Sequence, residues 1–139
     1  PAPFSLTTHE GPKETLSEEF PIRLTTGRVL DSYNTGVQSR AYKSPLRKGA
    51  DLEISTVDAL ELGLQNGEEV LVLSPRGQVK MLVSIKKDQV KGLDFTNFHF
   101  TDLVDLNVLT NDEWDPLSGT AEFKAAAIRI EKLTGNDRA

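Results

Sequence analysis

Apolar and polar positions alternate with a period of two along most of this chain, and that period predicts strands. Ile22 and Leu24 alternate with Arg23 and Thr25, which places a first strand over Pro21–Thr26. Leu52-Glu53-Ile54 reads as a short second strand. Glu69–Ser74 puts Val70 and Val72 on one face and Leu71 and Leu73 on the other. Pro75-Arg76-Gly77 then makes a tight hairpin turn, and Gln78–Ile85 returns with Val79, Met81, Val83 and Ile85 aligned. A turn near Val90-Lys91-Gly92 leads into an aromatic strand region with Leu93, Phe95, Phe98, His99 and Phe100. Ala126, Ile128 and Ile130 share a face of the last strand, Glu122–Glu131. One helix stands out: Ser55 or Thr56 caps Thr56–Leu62, and Gly63 stops it before the Asn66-Gly67 turn.

Five to seven strands with one short helix define a mainly β domain. An isolated hairpin cannot bury its own faces, so the strands must close or pack. A small closed barrel is the expected architecture, although a small sandwich has the same periodicity. The order strand, long loop, strand, helix, turn, hairpin is the main clue to the barrel. Residues 31–49 are polar and rich in breakers, and irregular connections of this length in compact domains are often functional. Residues 1–20 are expected to form an arm or linker, residues 21–133 the barrel, and residues 134–139 a frayed tail.

Composition narrows the function. A chain of 139 residues fits one domain and can bury a core without staples. It contains no cysteine, which removes disulfides, thiolate metal sites and cysteine nucleophiles. An intracellular setting fits. His9 and His99 are far apart in sequence, which argues against a His-rich metal site. A net charge of -5, from 21 acidic and 16 basic residues, argues against non-specific nucleic-acid binding. No apolar stretch approaches the roughly 20 residues of a membrane span. Pro1-Ala2-Pro3-Phe4 has no signal-peptide pattern, and a start without methionine fits a processed or excised segment.

Candidate chemistry falls in two clusters. The first follows the first strand, where Leu24-Thr25-Thr26-Gly27-Arg28 leads to Tyr33-Asn34-Thr35-Gly36-Val37-Gln38-Ser39-Arg40. The guanidinium groups of Arg28 and Arg40 suit phosphate or carboxylate oxygens. Gly27 and Gly36 let backbone N–H groups approach the same ligand. Asn34, Thr35, Gln38 and Ser39 offer donors and acceptors to a heterocycle. A solvated polar loop carries the same residues, and the run lacks the spacing of a phosphate-binding P-loop. The second cluster contains Asn107, Thr110, Asp115, Ser118, Gly119, Glu122, Phe123 and Lys124. Here Asn107 either meets a ligand edge or pins its own loop, and Phe123 either stacks on a ring or fills the core. Lys124 either balances ligand charge or is solvated. His99, among phenylalanines, reads as a packed and hydrogen-bonded residue, not a catalyst.

The two clusters in this order resemble the carboxy-terminal molybdopterin-dinucleotide-binding domain of molybdenum and tungsten oxidoreductases. The likeness runs from Leu24-Thr25-Thr26-Gly27-Arg28 through Tyr33-Asn34-Thr35-Gly36, Gln38-Ser39-Arg40 and Leu52-Glu53-Ile54. It continues through Leu62-Gly63, Asn66-Gly67-Glu68, Arg76-Gly77 and Phe98-His99-Phe100. It closes with Asn107-Val108-Leu109-Thr110, Asp115-Pro116-Leu117-Ser118-Gly119-Thr120 and Glu122-Phe123-Lys124, and spans about residues 21–133. The resemblance is strongest to the alpha subunits of cytoplasmic formate dehydrogenases. Asn34 stands where many relatives have histidine, and Ala41 follows Arg40 where many have a second arginine.

The resemblance implies a six-stranded double-psi β-barrel. It places Thr26, Gly27 and Arg28 beside the pterin-phosphate part of the cofactor, with Asn34, Gln38, Ser39 and Arg40 lining the same loop. Asn107, Phe123 and Lys124 then hold a pterin from the opposite side. The implied cofactor is molybdopterin guanine dinucleotide with molybdenum or tungsten in the intact enzyme. The metal ligand and iron–sulfur sites of such enzymes lie in other domains, so no catalytic or metal-binding residue is expected here. The partners implied are preceding catalytic domains of the same parent chain or a large catalytic subunit, with no nucleic acid and no membrane. A stand-alone barrel that binds a ligand or another protein is the alternative. A small hydrolase or lyase would need a converged triad that the sequence does not display.

Overall fold

The computed structural model describes residues 3–6, 8–30, 49–100 and 103–133. Six strands close into a barrel: β1 (Ile22–Gly27), β2 (Asp51–Ser55), β3 (Glu69–Ser74), β4 (Gly77–Lys86), β5 (Leu93–Asn97) and β6 (Ala126–Lys132). Their order around the barrel is β1-β5-β2-β4-β3-β6, with β6 returning to β1. Two neighbouring pairs are parallel, β1 with β5 and β2 with β4, and the rest are antiparallel. Closure removes the exposed edges that an open sheet of this size would present.

Alternation decides what enters the core. Ile22, Leu24, Leu52, Ile54, Val70, Val72, Met81, Val83, Ala126 and Ile128 are buried. These are the alternating positions expected of β1 to β4 and β6. The β5 strand departs from expectation. It ends at Asn97, before Phe98 and Phe100, and its fully enclosed residues are Asp94, Thr96 and Asn97, while Leu93 and Phe95 are only half-buried. The aromatic period marks the outward face of β5, and the inward face is polar.

The helix α1 (Thr56–Glu61) closes the lower end of the barrel. Ser55 is its cap: the Oγ accepts from the Asp58 amide at 3.0 Å and donates to Asp58 Oδ2 at 2.6 Å. Gly63, at φ +64°, ends the helix, with Gly63 N bonding Leu60 O and Leu64 N bonding Ala59 O. That pair of bonds is a Schellman stop, which a left-handed glycine permits.

The described part of the arm is laid on the barrel. Glu14 binds Arg76 through both carboxylate oxygens, at 2.7 and 3.0 Å, and accepts from the Ala127 amide at 2.8 Å. Ala127 lies just past the last β3–β6 pair, Leu73–Arg129, so Glu14 serves an amide that the ladder leaves over. Glu19 pairs with Arg129, whose guanidinium sits 5.1 Å from the Phe20 ring centroid.

Asp94 titrates with the fold. Both its carboxylate oxygens and the Thr96 hydroxyl are buried without a hydrogen-bond partner. Burial pushes the Asp94 carboxyl up to about 8, and the nearby Asp58 charge acts in the same direction. The folded chain therefore keeps a proton that the unfolded chain releases at about pH 4. Between these limits the native state binds more protons, so stability falls as pH rises, by at most about 1.4 kcal/mol per pH unit. Asp94→Leu removes this component. Its stability advantage over the parent chain in denaturant unfolding should grow from about pH 5 to about pH 8 and then level off. A pH-independent difference would show that Asp94 does not carry the proton.

Candidate functional site

The strand registers gather Thr26-Gly27-Arg28 and Phe123-Lys124 at one end of the barrel. Gly27 is level with Asn97 where β1 and β5 leave side by side. β2 and β4 run the opposite way and begin at this end, with Ser74 opposite Gly77 at the β3–β4 turn. β6 also begins here, because Ala126 pairs with Leu24. Thr26, Gly27 and Arg28 therefore leave the barrel where Phe123 and Lys124 arrive.

Hydrogen bonds join these segments. The buried Thr26 hydroxyl donates to the Phe123 carbonyl at 2.8 Å, and Lys124 Nζ donates to the Thr26 carbonyl at 2.9 Å. The ammonium also lies 5.4 Å from the Phe123 ring centroid. Phe123 remains 38% exposed, so this ring is not a core filler and has a free face. Gly27 is buried, and a Cβ there would stand 2.7 Å from the Phe95 ring. The glycine is thus required by Phe95, a reason invisible in the sequence.

A short 3-10 helix, Leu106–Val108, carries Asn107 to the same end. Asp105 caps it by accepting from the Asn107 amide at 3.1 Å, and the Asn107 side chain faces solvent. The helix seats on the β3–β4 turn, where a Cβ on Gly77 would lie 2.4 Å from Val108 Cγ1. Arg76 strengthens the seat by donating to the Leu109 carbonyl at 2.8 Å while it holds Glu14. The arm, the hairpin and the Asn107 helix are one connected unit.

Beyond it, Trp114 bridges Ala121 around a turn that Asp115 organises. Asp115 Oδ1 accepts from the Ser118 amide at 2.6 Å and the Leu117 amide at 3.0 Å. The Ser118 bonds lead in holding this carboxyl below the usual range. Glu122 turns away from the site to meet the Lys13 amide and Asn111. Asp115, Ser118 and Glu122 are thus structural in this arrangement.

Lys86, Lys91, Arg76, Arg129 and Lys132 each pair with a carboxylate. Arg28 and Lys124 have no carboxylate partner among the described residues. Two exposed cations, an exposed amide and a half-exposed ring make a surface suited to an anion attached to a flat heterocycle. Asn34, Gln38, Ser39 and Arg40 lie outside the described residues. Among the described residues, no group of three or more His, Asp or Glu side chains is placed to hold a metal. His99 is the residue whose contact with this region the sequence did not signal: its Nε2 accepts from the Val29 amide at 3.1 Å.

The fold and these segments define a class. Residues 22–127 match the molydopterin dinucleotide binding domain family, and the chain belongs to that family. Among curated relatives, it is 39% identical over 132 residues to F420-dependent formate dehydrogenase 2 subunit alpha of Methanococcus maripaludis, covering 94% of this chain and 19% of that protein. It is 36% identical to the F420-dependent formate dehydrogenase subunit alpha of Methanocaldococcus jannaschii, over 84% of this chain and 17% of the relative. A nitrate reductase of Symbiobacterium thermophilum is also 36% identical, over 89% of this chain and 17% of its own length. The chain thus spans under a fifth of these relatives. Acetylene hydratase from Pelobacter acetylenicus shares the fold, with a TM-score of 0.69, 19% identity and coverage of 84% of this chain and 19% of that one.

The glycine seat can be tested directly. Gly77→Ala should destabilise the chain by about 1–3 kcal/mol, because the added Cβ overlaps the stiff Val108 side chain. Val108→Ala in the same background should recover most of the loss. Denaturant unfolding of the two single variants and the double variant measures the coupling.

Proposed function

We propose that this chain is the domain that closes over a pterin dinucleotide in a larger formate-dehydrogenase-like oxidoreductase. The observation that carries the reading is the meeting of Arg28 and Lys124, both without carboxylate partners among the described residues, with exposed Asn107 at one barrel end. Family membership and the formate dehydrogenase relatives support it. The six-strand order and its two parallel pairs fit a double-psi barrel, which we assign as the finer topology. We assign residues 21–133 to the domain, residues 1–20 to an arm or linker and residues 134–139 to a tail.

In this reading Arg28 binds a phosphate oxygen, and Thr26 and Gly27 shape the strand exit that presents it. Asn34, Gln38, Ser39 and Arg40 extend the same wall. Asn107 donates to a pterin edge, Phe123 covers one face of a ring, and Lys124 adds positive charge. The donor set fits such a group: it offers cations for phosphate and amide and hydroxyl groups for a heterocycle. The cofactor, assigned as molybdopterin guanine dinucleotide with molybdenum or tungsten, supplies the redox chemistry when bound. This chain's part is to bind, orient and enclose it, and formate oxidation belongs to the whole enzyme. The partners are the preceding catalytic domains or a large catalytic subunit. We assign a cytoplasmic location, and among the described residues no helix is long and apolar enough to cross a membrane.

The test is cofactor retention in the intact enzyme. Arg28→Ala and Lys124→Ala should each lower the pterin bound after purification, by about tenfold in affinity for loss of a charge-assisted contact. Lys86→Ala, at the other end of the barrel, should leave it unchanged. Equal pterin content in all three variants would sink the assignment.

A further inference from the structure

We infer that His99 is a positioning residue for Arg28: its imidazole holds the Val29 amide and so fixes the chain on the far side of that arginine. The functional half of this inference rests on the reading of Arg28 as a phosphate contact. The geometric half stands on the observed bonds alone.

His99 is fully buried, and its Nε2 accepts from Val29 N at 3.1 Å. A backbone N–H can only donate, so Nε2 must present its lone pair. An imidazolium has no acceptor and cannot make this bond. The ring is therefore neutral in this arrangement, with its proton on Nδ1. It is held in place by residues at and just past the end of β5. The His99 amide donates to the Asn97 side chain at 3.3 Å, and the ring lies against Phe98 with centroids 5.2 Å apart.

Parallel pairing explains why the histidine reaches Val29. Gly27 is level with Asn97, so residues just past β1 emerge beside residues just past β5. Gly27 is the last residue of β1, and beyond it the sheet supplies no acceptor for the Val29 amide. A half-buried amide left without an acceptor is costly, and His99 provides the acceptor. Arg28 consequently sits between two fixed points: Gly27 in the strand beneath Phe95, and Val29 on His99. Its side chain stays exposed while its backbone is held on both sides. The histidine need not touch the ligand to matter.

Two substitutions separate this role from simple packing. His99→Leu fills space but offers no acceptor. His99→Gln keeps an acceptor oxygen at a similar reach. In the uniformly nitrogen-15-labelled 139-residue chain, a scalar coupling across the Val29 N–H···Nε2 bond should be visible. Val29 amide exchange should quicken about tenfold in His99→Leu and return close to the parent rate in His99→Gln. An unchanged Val29 exchange rate in His99→Leu overturns the inference, as does an equal acceleration in both variants.

In the intact enzyme, His99→Leu should lower pterin retention in the parent background and add nothing in an Arg28→Ala background. Additive losses would show that His99 does not act through Arg28. Arg28→Ala with full pterin retention would instead refute the phosphate reading, and Val29 exchange would still decide the positioning.

Discussion

Parallel strands cannot be joined by a tight turn, and β1 lies parallel to β5 with β2, α1, β3 and β4 between them in sequence. This pairing constrains everything else. It forces the chain to leave β1 over the barrel rim and return much later, and it sets the exits of β1 and β5 side by side. The antiparallel return of β6 along β1 then delivers Phe123 and Lys124 to the same rim. A sheet wound only from hairpins would have separated these segments. Thr26 and Lys124 close the arrangement with reciprocal bonds: a hydroxyl to a carbonyl in one direction, an ammonium to a carbonyl in the other.

The same seam is unusual on its inner side. Asp94 lies opposite Leu24 and Thr96 opposite Thr26, so the interior along β1 and β5 mixes apolar and polar groups. Unpaired buried oxygens weaken a core. The barrel tolerates them because its other strands contribute Leu52, Ile54, Val70, Val72, Met81, Val83 and Ile128 in alternating array. Asp94 limits its own cost by remaining protonated, at the expense of stability toward alkaline pH. Asp58 does not relieve it, since its negative charge pushes the Asp94 carboxyl further up.

Much of this was legible in the residues. Glu69–Ser74 has the bounds that alternation places on it, and Ser55 and Gly63 begin and end the helix as their chemistry requires. Barrel closure was inferred from the need to bury several amphipathic strands, and the ordered motifs pointed to the family. The inward face of β5 was not legible. Period two fixes which residues share a face but not which face is inside. Gly27 and Gly77 are set by Phe95 and Val108, neighbours distant in sequence. The contact of His99 with Val29 depends on strand order around the barrel, which period two does not encode.

Net charge and local charge point in opposite directions here, and the local arrangement governs recognition. The chain is acidic overall, at -5, yet most of its described ion pairs tie carboxylates to cations on the barrel wall, the lower end or the arm. Screened, mutually cancelled pairs of that kind project little field beyond a Debye length, about 8–10 Å in physiological salt. Arg28 and Lys124 have no carboxylate partner among the described residues, and Lys124 is steered by a neutral carbonyl. A carbonyl orients an ammonium without neutralising it. Arg28 in turn is held through its neighbours' backbone, and its side chain is exposed. Holding cations by neutral groups and backbone anchors preserves their charge for an incoming anion and lowers the ordering cost on binding. The charge of Arg28 and Lys124 at the strand exits is thus set by local contacts and not by the net charge of the domain.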